Sequence, residues 1–282
     1  MREFVGIALS RFGTAAYWQR RMPQLELTFL GTGTSLGVPM IGCACPVCLS
    51  ADPRDQRDRA SLFIRTPELC WVVDTGPDFR RQCLRNKITH VDAVLITHAH
   101  SDHIMGFDDL RPFTFGVDKK IPVYASAETF TGLKHTFHFA FSGENHFPGY
   151  LKPEAHLIEG AFKLGETMIT PLPVNHGRVT TTGFRFDRPG MQSIAYLSDC
   201  KSIPDKTRAL LMNIDILIID ALRYREHPTH LSVSESILVA EEVRAGQTWF
   251  THISHDLGHA AVDDVLPDKI KMAYDGLVLT LP

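Results

Sequence analysis

The sequence predicts an α/β protein, an αββα sandwich of two mixed sheets flanked by helices. Three observations predict it. Short apolar, β-branched runs recur along the chain and are separated by turn signals. Amphipathic stretches fall between those runs instead of gathering in one block, as expected when helices cover the outer faces of two sheets. No Ser/Gly-rich linker and no internal repeat divides the chain, so one domain is expected.

The elements follow in order. LELTFL (25–30), SLFIR (61–65), CWVVD (70–74), DAVLITH (92–98) and IPVYA (121–125) read as strands. So do residues 167–174, TGFRFD (182–187), SIAYLSD (193–199), DILIID (215–220), QTWFTH (247–252) and LVLTL (277–281). FRFDRPGMQSIAYL has Pro-Gly at its centre and reads as a hairpin. Helices are expected over 77–86, 126–136, 204–212 and 232–245. The last has Ser232 as N-cap, Glu235 three residues on as the partner of a capping box, and Gly246 as its C′ residue. Residues 1–24 read as a leader segment or an overextended start, since Met22 can itself begin a compact protein. Residues 25–282 read as the folded domain. The aromatic and glycine-rich insertion near 137–155 reads as a loop or lid.

Composition narrows the function classes. The 282 residues are 44% hydrophobic and 22% charged, ordinary values for a water-exposed globular protein. Lys+Arg 29 against Asp+Glu 32 leaves a net charge of −3, without the basic footprint of a nucleic-acid binder. No apolar run approaches the roughly 18–20 residues that span a bilayer. Residues 4–9 are too short and too soon interrupted by Arg11 for a secretory signal. The expected location is the cytoplasm, with no membrane partner, nucleic acid excluded as the main partner, and room for a homodimer. Histidine is the unusual residue, with 14 in all and several in clusters.

The decisive cluster is His98-Ala99-His100-Ser101-Asp102-His103, directly after the apolar run DAVLI. Side chains two apart on extended backbone share a side, so His98 and His100 converge. A turn then brings Asp102 and His103 toward a neighbouring point. Two metal ions about 3.5–4 Å apart can clamp a water and deprotonate it near neutral pH. A histidine-rich surface loop is the alternative, and four ligand-type residues in six positions at a strand end argue against it.

These residues resemble the ligand pattern of the metallo-β-lactamase superfamily: H-x-H-x-D-H, then a lone His, an Asp and a final His, each at a strand end. Here the later three are His176 in TPLPVNHG, Asp199 in IAYLSD and His252 in TWFTHISH. The resemblance implies that His98, His100 and His176 bind one divalent ion, that Asp102, His103 and His252 bind the other, and that Asp199 bridges them. Zinc suits this set, and manganese, iron or nickel would also fit.

Cys43-x-Cys45-x-x-Cys48 supplies three ligands of a tetrahedral zinc and needs a fourth, for which His255 is the best candidate. Such a closed site would be one structural zinc; a redox thiol cluster is the rival. Cys70 and Cys200 read as plain buried or near-site residues. GTGTSLG (31–37) lacks nucleotide-loop spacing and reads as a tight turn beneath the site.

With G-T-G-T-S-L-G-V-P, P-L-P-V-N-H and T-H-I-S-H, the cysteine motif resembles a narrower branch, the phosphoribosyl 1,2-cyclic phosphate phosphodiesterases and their relatives, from about Leu25 onward. A pyrroloquinoline quinone biosynthesis protein carries a similar cysteine knuckle, but its H-x-H-x-D-H is less intact. The resemblance implies a dinuclear phosphodiesterase acting on a small or cyclic phosphodiester through a metal-bridging hydroxide. His230 matches a catalytic histidine of that branch, with His227 as competitor, and Asp102 joins it among the residues serving the reaction. Arg178, Arg223 and Arg225 lie near ligands in sequence and are candidates to grip phosphate, each weighed against a plain surface role. Acyl hydrolysis of a lactone, thioester or β-lactam on the same ions is the alternative function, and a non-catalytic metal-dependent carrier the third.

Overall fold

The computed structural model describes residues 25–115, 120–143 and 149–281. The expectations for residues 1–24, and for the middle of the 137–155 insertion, lie outside the described residues.

The first half contains β1 (Leu25–Gly31), β2 (Ser61–Arg65), β3 (Cys70–Val73), α1 (Phe79–Arg85), β4 (Ala93–Leu95), α2 (Ser101–Ile104), β5 (Ile121–Ala125), α3 (Ala127–Thr136), α4 (His138–Phe141) and β6 (Pro153–Leu157). The second contains β7 (Phe162–Leu164), β8 (Thr167–His176), β9 (Val179–Asp187), β10 (Ile194–Leu197), α5 (Asp205–Leu211), β11 (Ile216–Asp220), α6 (Val233–Glu242), β12 (Gln247–Thr251), α7 (His259–Asp263), β13 (Ile270–Met272) and β14 (Val278–Leu281). They form two seven-stranded sheets, ordered β14-β1-β2-β3-β4-β5-β6 and β13-β12-β11-β10-β9-β8-β7. In the first, pairing is antiparallel from β14 to β3 and parallel from β3 to β6. The second repeats the pattern, antiparallel from β7 to β10 and parallel from β10 to β13.

Three apolar layers follow from this stacking. Between the sheets lie Leu27, Phe29, Trp71, Val73, Phe184, Phe186 and Tyr196. Outside the first sheet, Phe63, Val72 and Val94 meet Phe79 of α1 and Phe130 and Leu133 of α3. Outside the second, Leu197, Leu217 and Ile219 meet Leu211 of α5 and Val239 and Ala240 of α6. Each such large side chain fully buried contributes about 1.5–3 kcal/mol, so the predicted αββα sandwich rests on three cores.

All eleven expected strands are present, and the expected hairpin is the β9–β10 pair. DAVLITH ends early, at Leu95, because Thr97 turns its N–H and hydroxyl to the Asp74 carboxylate. Strands β6, β7 and β13 went unpredicted. They are short edge or near-edge strands, and β6 exposes most of its residues, so they lack a buried apolar run. The insertion near 137–155 holds α4 and the first residues of β6, so it is not loop throughout. The capping box of α6 forms between Ser232 and Glu235. Gly246 is not its C′ residue. The helix closes at Glu242, Arg244 takes the left-handed conformation, and Gly246 instead lets the Asp215 carbonyl approach to where a Cβ would stand 2.6 Å away.

Candidate metal centre

The parallel strands of both sheets deliver their C-terminal ends to one edge. There β4 hands on to Thr97–His103, β8 ends in His176, β10 is followed by Asp199, β11 ends in Asp220 and β12 is followed by His252. The seven ligand residues expected from sequence therefore meet. His98, His100 and His176 form one group whose ligand atoms lie within 4.8 Å of one another, and Asp102, His103, Asp199 and His252 form another. His98 Nε2 stands 2.8 Å from His100 Nδ1, as their shared side predicts. Asp102 and His103 turn away into the first turn of α2 and face the second group.

Asp199 lies between the groups and gives one oxygen to each. Its Oδ2 is 4.0 Å from His98 Nε2 and 3.7 Å from His176 Nε2; its Oδ1 is 3.0 Å from His103 Nε2 and 3.4 Å from His252 Nε2. His103 Nε2, both His252 nitrogens and Asp199 Oδ1 are buried without a hydrogen-bond partner. Buried polar atoms left so are costly. A divalent cation between them would satisfy Asp199 Oδ1 and the two Nε2 atoms at once, so the residues present fit the ions implied by the fold.

The charges of the two groups differ. Burial and the nearby positive His103 hold His98 well below its ordinary pKa, and burial lowers His100 and His176. These are neutral imidazoles ready to donate lone pairs. In the second group burial opposes charge, yet Asp199 and Asp102 hold His103 well above its usual range, and Asp199 with Asp102 holds His252 at about 9. Burial likewise opposes the charge on Asp199, but the positive His252 and His103 keep it ionised.

Outer residues fix three of the rings. His103 Nδ1 donates to Asp74 Oδ2 at 2.7 Å, and His176 Nδ1 to the Thr229 carbonyl at 2.8 Å. His230 Nδ1 donates to Asp220 Oδ2 at 2.7 Å, which leaves Nε2 facing the centre, 3.9 Å from Asp199 Oδ2. Burial and the positive His252 ring, stacked 4.6 Å away, hold His230 at about 3, so Nε2 presents a lone pair at neutral pH. His227 instead accepts from the Thr229 N–H and braces the loop. Asp74 and His252 have φ of 63° and 56°, left-handed conformations that L-residues rarely adopt. Such strain at a ligand and at a ligand's support is typical of a functional site.

The cysteine loop forms a second cluster. Cys43, Cys45, Cys48 and His255 bring their ligand atoms within 4.8 Å of one another, and His255 Nδ1 is 3.3 Å from Cys43 Sγ and 3.4 Å from Cys45 Sγ. His255 follows His252 in one turn, which Arg57 clamps from beneath. Its guanidinium, wholly buried, donates to the Ser254 and Leu257 carbonyls and pairs with Asp55. The three expected phosphate-gripping arginines are less committed to the centre. Arg223 donates to the Arg225 and Glu226 carbonyls of its own loop, while Arg178 and Arg225 are exposed.

Sequence reading missed Asp74, Asp220 and Arg57. The two aspartates carried a signal, since CWVVD and DILIID each close a wholly apolar strand with an acid, as SIAYLSD does with Asp199. Arg57 carried none, because a buried arginine in a polar loop looks like any surface arginine.

A two-sheet sandwich whose strand ends gather five histidines and two aspartates into two adjoining ligand groups defines a protein built around a candidate metal centre. The sequence profile of the β-lactamase superfamily domain matches residues 71–253, and the chain belongs to that family. A solved structure described as a new diphosphatase from the PhnP family is 43% identical, with a TM-score of 0.83, and the match covers 90% of this chain and 96% of that one. An octanoyltransferase of Porphyromonas gingivalis is 35% identical over 260 residues; the match covers 90% of this chain and 51% of the relative, so the chain spans about half its length. A ribonuclease Z of Bacillus subtilis is 24% identical over 326 residues, covering 92% of this chain and 99% of the relative.

Proposed function

We propose that this protein hydrolyses a small phosphodiester or diphosphate diester at a dinuclear centre. His98, His100 and His176 would hold one ion, Asp102, His103 and His252 the other, and Asp199 would serve both. The split Asp199 carboxylate carries the reading, because it gives each group one oxygen. When bound, the two ions supply charge stabilisation for a phosphorus centre under attack and lower the pKa of water. The chain's own residues do the rest. Asp74 and Thr229 hold His103 and His176 in the tautomer that points Nε2 inward. His230 moves the proton: Nε2 takes it from the attacking water and returns it to the leaving-group oxygen, while Asp220 supports the transient imidazolium through Nδ1.

Zinc or manganese in this centre, and one structural zinc on Cys43, Cys45, Cys48 and His255, complete the proposal. Among the described residues no helix is long and apolar enough to cross a membrane. Six free cysteines, three of them gathered as ligands, suit a reducing compartment, and we assign the protein to the cytoplasm. A homodimer is compatible with this reading.

An acyl substrate is the second reading, favoured by the octanoyltransferase name of the P. gingivalis relative. A substrate panel decides between them. Metal-replete protein is expected to turn over bis(p-nitrophenyl) phosphate, cyclic phosphates or diphosphate diesters, and to leave octanoyl thioesters and lactones intact. Turnover confined to the acyl compounds overturns the phosphoesterase reading.

A further inference from the structure

At the opposite end of the first sheet a third group of ligand-type side chains comes together. Cys70 opens β3, and His90 and Asp92 flank Val91 in the turn leading into β4. Val91 is fully buried in the layer between sheet and helices, so the residues on either side of it both turn toward solvent. One ligand atom from each of Cys70, His90 and Asp92 lies within 4.8 Å of the others. Asp92 divides its carboxylate between them. Oδ1 is 2.7 Å from His90 Nε2, and Oδ2 is 3.6 Å from Cys70 Sγ and accepts the Cys70 N–H at 3.0 Å.

The backbone bond matters because it fixes the carboxylate before any ligand arrives. Cys70 is buried on the strand and its thiol also donates to the His90 carbonyl at 3.2 Å, so binding requires the sulfur to exchange that bond for the ion and the His90 ring to turn. Above the three lies an open groove of about 300 Å³ lined also by Arg65, Glu68 and Thr89. Arg65 stands 3.5 Å from Glu26, and Glu68 is bound by Arg188, so neither competes for the group. The location is separate from the dinuclear centre. From Cys70 to Asp74, which supports His103, β3 runs four residues, or about 13 Å at the usual rise.

We propose that Cys70, His90 and Asp92 form a third, peripheral site for a soft or borderline divalent cation such as zinc. A thiolate, an imidazole and a carboxylate are the protein ligands that zinc uses, three in number with a fourth position left to water. On binding, Cys70 releases its S–H proton to solvent, and the single N–H of the neutral His90 ring passes from Nε2 to Nδ1 so that Nε2 can donate its lone pair. The thiolate and carboxylate then balance the charge of the ion. The open groove makes the site exchangeable, in contrast to the two buried ligand groups.

The test is metal counting on the full chain. Wild type and His90→Ala are dialysed side by side against buffer holding micromolar zinc, and metal per chain is measured by mass spectrometry. Wild type is expected to hold one ion more than His90→Ala, and Asp92→Asn is expected to behave like His90→Ala, with zinc affinity at the groove lowered at least about tenfold. Equal metal content in wild type and His90→Ala overturns the proposal. Because His90 is exposed, its loss leaves the other ligand groups intact, and a deficit greater than one ion, meaning they had been disturbed, counts against the proposal as well.

Discussion

The candidate metal centre and the cysteine loop are both ligand clusters, yet they are built by opposite means. At the centre, ligands stand on strand ends and are almost all buried; Asp74 and Thr229 fix the His103 and His176 rings, and Asp220 fixes the neighbouring His230. The cysteine ligands lie in a turn-rich loop with no helix or strand of its own, and Cys43, Cys45 and His255 are partly exposed. The centre is preorganised by two sheets that would fold for their cores alone. The loop has little apolar burial of its own, and the ion itself would supply much of the free energy that orders it.

The largest effect should come from His230. Its replacement by Ala is expected to cut turnover about 10²–10⁴-fold while metal content stays at the wild-type value. A metal-replete variant with unchanged kcat would remove His230 from the chemistry and leave the centre a pure charge template. A smaller loss is expected from Asp74→Asn, which keeps the shape but weakens the hold on His103. The cost should be about 10–100-fold in metal affinity, read by competition with a chromogenic chelator. No change in affinity would mean that the strands alone aim the ring, which would sharpen the contrast with the loop.

The loop offers the gentlest test. Hydrogen bonds from the Cys48 N–H and from His255 hold the Cys45 thiol down at about 6, whereas burial pushes Cys48 up to about 11. A lowered thiol is ionised above its pKa, so in metal-stripped protein alkylation of Cys45 should rise as pH passes through about 6 and then level off. Cys48 should stay unreactive across the neutral range. Peptide mass spectrometry after timed labelling reads both. Equal labelling of the two thiols at neutral pH would show the loop losing its shape without metal.

Much of this architecture was legible in the sequence. Strands with buried apolar runs announced themselves, and so did H-x-H-x-D-H, because ligand chemistry demands particular side chains at particular spacings. His176, Asp199 and His252 were readable only as a set, through their order and their strand-end positions. Beyond reach were edge strands such as β6, whose residues are not selected for burial, and the end of α6, where Arg244 assumed the conformation that Gly246 seemed made for. The supports were harder still. Asp220 can be picked out only as the acid that closes an apolar run, and nothing in its neighbourhood along the chain points to His230, which only tertiary contact brings to it.

One short turn has a wider consequence. His252 faces the inner ligand group and His255 the thiols, and Arg57 grips the carbonyl of Ser254 between them and that of Leu257 just beyond. The two ligand clusters are thus welded to a common lever. By thermodynamic reciprocity, whatever filling the thiol site does to the hold on the inner ion, filling the inner site must do in equal measure to the thiols.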